Sequence, residues 1–90
     1  MPQVRFTPNL KRFFPDLAPV NVEADTIAEL MEVIEDLHPG IKAYLVDEQG
    51  ALRTHVNVYA RGEHIWDRIH LTDALGPNDE VYILQALSGG

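Results

Sequence analysis

The chain ends in the stretch Asn78-Asp79-Glu80-Val81-Tyr82-Ile83-Leu84-Gln85-Ala86-Leu87-Ser88-Gly89-Gly90, which runs from a turn through an apolar segment to two glycines. Asn and Asp favour the turn, and residues 80–87 are predicted to form the final strand. Because a strand rich in Val, Tyr, Ile and Leu needs cover, we expect it to lie at the centre of a sheet.

The two glycines after this strand predict chemistry at the end of the chain. Glycine lacks a Cβ, so Gly89 and Gly90 would form a thin thread able to enter a narrow enzyme channel, with a carboxylate at its tip. We expect a flexible tail over about residues 87–90. A carboxylate is inert until it is activated, for example as an acyl adenylate, so this tail predicts a protein that is itself a substrate.

Two short alternating segments begin the chain, at residues 3–6 and 20–23, and we expect them to pair as a hairpin. Residues 7–19 between them are predicted to be an irregular loop. Its two aromatic residues, Phe13 and Phe14, are interpreted as satellite core or as an anchor for the loop.

One amphipathic helix is predicted over residues 26–38. Thr26 and Glu29 fit a capping box, and apolar residues recur behind them at helical spacing from Ile27 to Leu37. Pro39-Gly40 ends the helix.

The remaining elements are predicted to be short: a helical turn or connector at 41–46, a strand at 52–61, a turn at 62–63, a strand at 64–66 and one helical turn at 72–75. Trp66 is interpreted as a packing residue. The order β-β-α-β-β-β predicts an α+β fold, a mixed sheet on one main helix, in a single domain over residues 1–90.

Composition excludes several classes of function. The chain has no cysteine, which rules out disulfides, Cys-ligated metals and a Cys nucleophile. Its net charge is -7, and the seven bases form no patch suited to phosphates, so no nucleic-acid partner is expected. No apolar run is long enough to span a bilayer and no secretory signal is visible, so we expect a cytoplasmic protein without a membrane partner.

No catalytic cluster, metal site or cofactor is predicted from the side chains. The four histidines, at positions 38, 55, 64 and 70, are spread over loops and strands without a helical i, i+4 pair. The acids Glu32, Glu35 and Asp36 are explained by a solvated helix face.

The whole chain resembles the β-grasp sulfur-carrier family, the ThiS/MoaD-like proteins related to ubiquitin. The resemblance rests on the helix start Thr26-Ile27-Ala28-Glu29-Leu30, on Val56-Asn57-Val58-Tyr59, and above all on the acidic turn, apolar strand and Gly-Gly of residues 78–90. The length and Val56-Asn57-Val58-Tyr59 look most like the cysteine-biosynthesis carriers, whereas Gln85-Ala86-Leu87-Ser88 looks more like the thiazole carriers.

This resemblance implies a β-grasp fold and a role as a protein substrate that has no catalytic residues of its own. An ATP-dependent, ubiquitin-activating-type adenylyltransferase would adenylate Gly90, and a sulfur donor would convert it to a thiocarboxylate. The sulfur would then pass to a biosynthetic enzyme of cysteine, thiamin, molybdopterin or a related pathway. The tail residues that enter the partners' active sites would be Leu87, Ser88, Gly89 and Gly90.

Partner docking is expected on the sheet face away from the helix. If Val81 and Ile83 point into the core, Tyr82 and Leu84 point outward, and Tyr59 on a neighbouring strand would join them in an exposed apolar patch. The alternative is that residues 41–50 cover this patch. Two other functions also stay open: a ubiquitin-like modifier joined to lysines through Gly90, and a β-grasp interaction module that binds without covalent chemistry.

Overall fold

A computed structural model describes residues 1–85 of the chain. The predictions made for Leu87, Ser88, Gly89 and Gly90, and the end of the last predicted strand, lie outside these described residues. The elements, in chain order, are β1 (Gln3–Phe6), α1 (Pro8–Lys11), β2 (Val20–Asn21), α2 (Ile27–Leu37), α3 (Ile41–Leu45), β3 (Val56–Ala60), β4 (Glu63–His64) and β5 (Glu80–Gln85).

The strands form one mixed sheet with the order β2-β1-β5-β3-β4. β5 lies at its centre, parallel to β1 and antiparallel to β3, which confirms the position predicted from its apolar residues. β1 and β2 pair as the expected antiparallel hairpin. The α+β architecture with a mixed sheet on one main helix is therefore confirmed.

The helix α2 begins and ends close to the predicted positions. The hydroxyl of its N-cap, Thr26, accepts a hydrogen bond from the Glu29 backbone N–H at 3.2 Å. The Glu29 carboxylate reaches back one residue further than a capping box requires and accepts from the Asp25 N–H at 3.3 Å. The bond to Thr26 satisfies an N–H of the first helical turn that would otherwise lack a partner, and the bond to Asp25 fixes the residue that precedes the N-cap.

The core lies between the sheet and the helices. On α2 the buried side chains are Ile27, Leu30, Met31 and Ile34, and they share the core with alternate residues of β5 and β3. Those strand residues are Val81 and Ile83 of β5 and Val56, Val58 and Ala60 of β3. The buried residues of β3 and β5 alternate as the sequence predicted, so the residues between them lie on the opposite face of the sheet, away from the core.

The first predicted loop contains a short helix, α1, which sequence reasoning missed. Pro8 occupies its first turn, where a missing N–H costs nothing, and Leu10 is fully buried. The interpretation of Phe13 and Phe14 as an anchor is confirmed. Phe13 stacks on Tyr44 of α3 with ring centroids 5.1 Å apart, and Phe14 meets the same ring edge-on at 5.4 Å.

Two predicted boundaries around β3 are wrong. The strand begins at Val56, not at Leu52, because Leu52 forms an isolated bridge with Val46 instead. The turn that follows is Arg61-Gly62, with φ of 54° and 79°, so β4 starts one residue earlier than expected. Positive φ at both central residues is the signature of a two-residue hairpin turn that matches the twist of the strands.

The helical turn predicted at residues 72–75 is also wrong. This segment runs beside the start of α2, where the carbonyl of Asp73 accepts from the Ile27 N–H at 3.1 Å and the Leu75 N–H donates to the Asp25 carbonyl at 2.8 Å. Its backbone is thus used to satisfy a helix terminus, which leaves it unable to form a turn of its own. Within the described part of the chain, no helix is long and apolar enough to cross a membrane.

Candidate functional site

The face of the sheet turned away from α2 carries the predicted docking residues. Along β5, Val81 and Ile83 are buried, Tyr82 remains 37% exposed, and Leu84 is half-buried. Because successive side chains of a strand point to opposite faces, Tyr82 and Leu84 share the outer face.

Tyr59 of β3 lies beside them. Tyr59 and Tyr82 are directly paired across the two antiparallel strands, and Leu84 is paired with Asn57. Directly paired residues have Cβ atoms about 5 Å apart, so the structure brings all three predicted residues together. Tyr59, Tyr82 and Leu84 are called the outer patch below.

Residues 41–50 were the expected alternative cover for the outer patch, and they lie elsewhere. Ile41 and Leu45 of α3 are buried in the core on the helix side of the sheet. The Glu35 carboxylate of α2 fixes the start of this segment by accepting from the N–H groups of Gly40 and Lys42, each at 2.9 Å. These two bonds, that from Gly40 first, lower the pKa of Glu35.

Basic and aromatic groups border the outer patch. Arg5 of β1 is paired with Tyr82 and exposed, and the His64 ring lies 4.2 Å from the Tyr59 ring, centroid to centroid. The Arg68 guanidinium donates to the carbonyls of Val56 and Arg53 at 2.7 and 2.9 Å. Arg68 thereby occupies the edge of β3 beyond β4.

Sequence reasoning missed Arg68 because a single arginine in a polar loop gives no signal of its position. Its guanidinium also contacts the Asn57 side-chain oxygen at 3.3 Å. Asn57 is in turn paired with Leu84, so a positive charge lies next to the outer patch. A partner surface that combines apolar side chains with a carboxylate would complement this arrangement.

The end of β5 is held by two residues that sequence reasoning also missed. The Thr7 hydroxyl accepts from the Gln85 N–H at 3.2 Å, and the Asn9 side-chain amide donates to the Gln85 carbonyl at 2.9 Å. The Gln85 side chain lies 3.5 Å from His55 Nε2 on the opposite side. Residues 7–9 were predicted only as part of an irregular loop, and nothing in the sequence indicated that they would contact β5.

The interpretation of Trp66 as a packing residue is wrong, because its side chain is 93% exposed. The loop that carries it is nevertheless well connected. The Asp73 carboxylate accepts from the N–H groups of Trp66 and Asp67, both at 2.8 Å.

The Asp67 carboxylate organises the other half of this loop. It accepts from the N–H groups of Ile69, His70 and Thr72 and from the Thr72 hydroxyl, at 2.6 to 3.3 Å. These bonds favour the charged carboxylate, the one from His70 first, and lower the pKa of Asp67 to about 2.

The four histidines do not converge. Among residues 1–85, no group of three or more His, Asp or Glu side chains is placed to hold a metal ion. His64 lies against Tyr59 and His55 against Gln85, so two of the four border the site just described.

Comparison with known proteins places this geometry in context. The sequence model of the ThiS family matches residues 5–90. No protein of curated function matches the chain.

Several solved structures share the fold across the whole length. A chain of the Amycolatopsis orientalis BexX/CysO complex is 29% identical, with 100% of both chains covered and a TM-score of 0.84. Mycobacterium tuberculosis CysO is 26% identical over 97% of this chain and 100% of its own, with a TM-score of 0.82. SAMP1 from Haloferax volcanii is 23% identical over 99% of this chain and 98% of its own, with a TM-score of 0.76, a likeness of fold alone.

Proposed function

This chain belongs to the ThiS family, and from that premise we propose that it is a sulfur carrier whose Gly90 carboxylate becomes a thiocarboxylate. The observation that carries the proposal is the family match, which runs from Arg5 through Gly90 and takes in the two glycines. The likeness to Mycobacterium tuberculosis CysO, over 97% of this chain and 100% of its own, and to a chain of the BexX/CysO complex over 100% of both, supports it.

The chemistry proceeds in two steps on the partner enzymes. First, the Gly90 carboxylate attacks ATP, forms an acyl adenylate and releases pyrophosphate. Sulfide then attacks the carbonyl carbon, AMP leaves with one of the two carboxylate oxygens, and a thiocarboxylate remains. The carrier supplies a reactive terminus and a docking surface, while the partners supply positioning and electrostatics.

The outer patch is the surface that we assign to docking with the ubiquitin-activating-type adenylyltransferase. Tyr82 and Leu84 are on β5, whose residue Gln85 is followed directly in the sequence by residues 86–90. Aromatic side chains are enriched in protein interfaces because they bury a large area at low entropic cost. The sulfur-accepting biosynthetic enzyme, and a cytoplasmic location, are part of the same proposal.

The outer patch is tested by Tyr82→Ala and Leu84→Arg. Both should weaken binding to the activating enzyme, Leu84→Arg more strongly, since it places a second cation beside Arg68. A matched control is Glu63→Ala, an exposed residue of β4 outside the outer patch. Unchanged affinity in both patch variants, measured by calorimetry, would remove this surface from the proposal.

The central experiment is the intact mass of the chain after incubation with ATP, a sulfide source and the activating enzyme of the same organism. A gain equal to one oxygen-to-sulfur exchange, assigned to Gly90 by fragmentation, is the expected result. No gain with an enzyme that is active on ATP would refute sulfur carriage. Higher-mass conjugates on lysines would instead indicate a modifier.

Deletion of Gly89 and Gly90 provides the matching loss of function. We expect sulfur transfer to be abolished and the unfolding free energy to stay unchanged, because the two glycines have no side chains to bury. A second variant with one residue added after Gly90 separates the alternatives. If the extended chain keeps the full cellular function of the unmodified chain, that tolerance would favour an interaction module, whereas loss of function with partner binding retained would favour chemistry at Gly90.

A further inference from the structure

We propose that Thr7 and Asn9 form a clamp that positions the base of the tail for reaction, an inference that rests on the proposed function. Both residues bind the backbone of Gln85, the last residue of β5. They lie 78 and 76 positions from it in the sequence. Neither contact belongs to the pairing of β1 with β5, which ends at Phe6 and Ile83.

The clamp replaces strand pairing where the backbone cannot continue it. The Thr7 N–H donates to the Ile83 carbonyl at 3.1 Å, and within residues 1–85 this is the last backbone bond between the two segments. Because successive backbone groups of a strand face opposite sides, the next N–H toward β5 would be that of Asn9, which already lies in α1. The Thr7 carbonyl, which would accept from Gln85 in a continued ladder, accepts instead from the Leu10 N–H at 3.2 Å. Side chains take over at this point: Thr7 accepts from the Gln85 N–H, and Asn9 donates to the Gln85 carbonyl.

The Thr7 hydroxyl is used in an unusual way for its position. Thr7 is the N-cap residue of α1, where a hydroxyl normally accepts from an N–H of the first helical turn, yet it makes no such bond. Thr7 is 8% exposed and is the only buried polar side chain among residues 1–85. Its hydroxyl accepts a hydrogen bond from β5 and none from its own helix.

Fixing Gln85 limits where the reactive carboxylate can go. Gly90 follows Gln85 by five residues, which span at most roughly 17 Å when fully extended. If the end of β5 frayed, two or more residues would be added to this reach and the direction of departure would be lost. Holding a reacting group in place lowers the entropic cost of reaching the transition state. Thr7 and Asn9 are therefore positioning residues that act through Gln85.

This role predicts a specific kinetic signature. The outer patch is untouched, so the concentration of the chain that half-saturates the activating enzyme should not change. The maximal rate of adenylation should fall, on the order of tenfold for Thr7→Val combined with Asn9→Asp. Thr7→Val keeps the shape and removes the acceptor, and Asn9→Asp keeps the shape and removes the donor.

The assay is ATP–pyrophosphate exchange by the activating enzyme of the same organism, with the full chain as the varied substrate. Thr7→Ser is the matched control, because it retains the hydroxyl that Thr7→Val removes and should therefore retain the rate of the unmodified chain. Asn9→Asp alone, at a half-buried position, keeps the test available if the Thr7→Val protein folds poorly. Amide hydrogen exchange at Gln85 gives a readout independent of activity, and it should become faster in each clamp variant.

The outcomes separate this inference from the proposed function. Absence of exchange with the unmodified chain would refute the proposed function and the clamp with it. Exchange with the unmodified chain, together with unchanged rates in Thr7→Val and Asn9→Asp, would overturn the clamp alone. A rise in the half-saturating concentration at constant maximal rate, or failure of Thr7→Ser to recover, would also overturn it.

Discussion

The two long connections of this fold are held in place by different physical means. The first connection, residues 7–19, inserts Leu10 and Leu17 into the core and packs Phe14 against it. The second connection, residues 65–79, also contributes Leu71 and Leu75. Its outer part is organised by the carboxylates of two aspartates that accept backbone hydrogen bonds.

The difference shows why an aromatic residue in a loop cannot be assigned to the core by composition alone. In the first connection the aromatic rings are the structural contacts, because Phe13 and Phe14 both meet Tyr44. In the second connection the backbone is already satisfied by Asp67 and Asp73, so the loop keeps its shape without the indole of Trp66. The structural need for an aromatic side chain depends on what else holds the loop.

The largest effect is expected from Leu10→Ala in the first connection. Leu10 is fully buried, and removing a buried leucine side chain costs about 2–5 kcal/mol of unfolding free energy. Urea denaturation measures the change, with Lys11→Ala, an exposed neighbour on α1, as the control. A loss no greater than that of the control would show that this connection is not secured by its core contact.

Asp67→Ala should produce the main loss in the second connection. The change leaves the N–H groups of Ile69, His70 and Thr72 without their acceptor. We expect a lower melting temperature and faster amide hydrogen exchange at those three residues. Asp16→Ala, an exposed acid in the first connection, should leave both quantities unchanged. Equal exchange rates in the two variants would contradict the comparison.

The second connection should also respond to acid. The pKa of Asp67 in the folded protein is about 2, below the ordinary value of 3.8, so its stabilisation is fully present above pH 3.8 and is lost as the pH falls toward 2. The difference in unfolding free energy between the unmodified chain and Asp67→Ala should therefore shrink over this range. A difference that is independent of pH would exclude the charged carboxylate as the cause.

Phe13→Ala should have a smaller effect, about 0.5–1.5 kcal/mol, because the ring is 56% exposed and its main contact is the stacked ring of Tyr44. A double-mutant cycle with Tyr44→Ala isolates this pair. Additive losses in the cycle would show that the two rings do not stabilise each other.

Trp66→Ala should have the smallest effect, within about 0.5 kcal/mol of the unmodified chain, since the side chain is almost fully exposed. Phe14→Ala, which removes a ring packed against the core, is the contrasting variant and should cost more. If Trp66→Ala proved the more damaging of the two, the described position of the indole would be incorrect.

The amino-acid sequence alone determined the main helix, the central position of β5 and the face on which Tyr59, Tyr82 and Leu84 lie. These features follow from local periodicity and from the number of apolar residues, and both can be read directly from the sequence. The family resemblance, carried by residues 78–90, was likewise readable without coordinates and was confirmed by the family match.

Only the tertiary structure decided how distant segments share their hydrogen bonds. Residues 72–75 do not form the predicted helical turn, because their backbone groups form hydrogen bonds with the start of α2. The Arg68 guanidinium donates to a backbone carbonyl of β3. Thr7 and Asn9 met Gln85 across more than 70 positions of sequence. Such contacts depend on which backbone groups the sheet leaves unpaired. Which groups remain unpaired is decided by the assembled fold, so it cannot be predicted from a local sequence pattern.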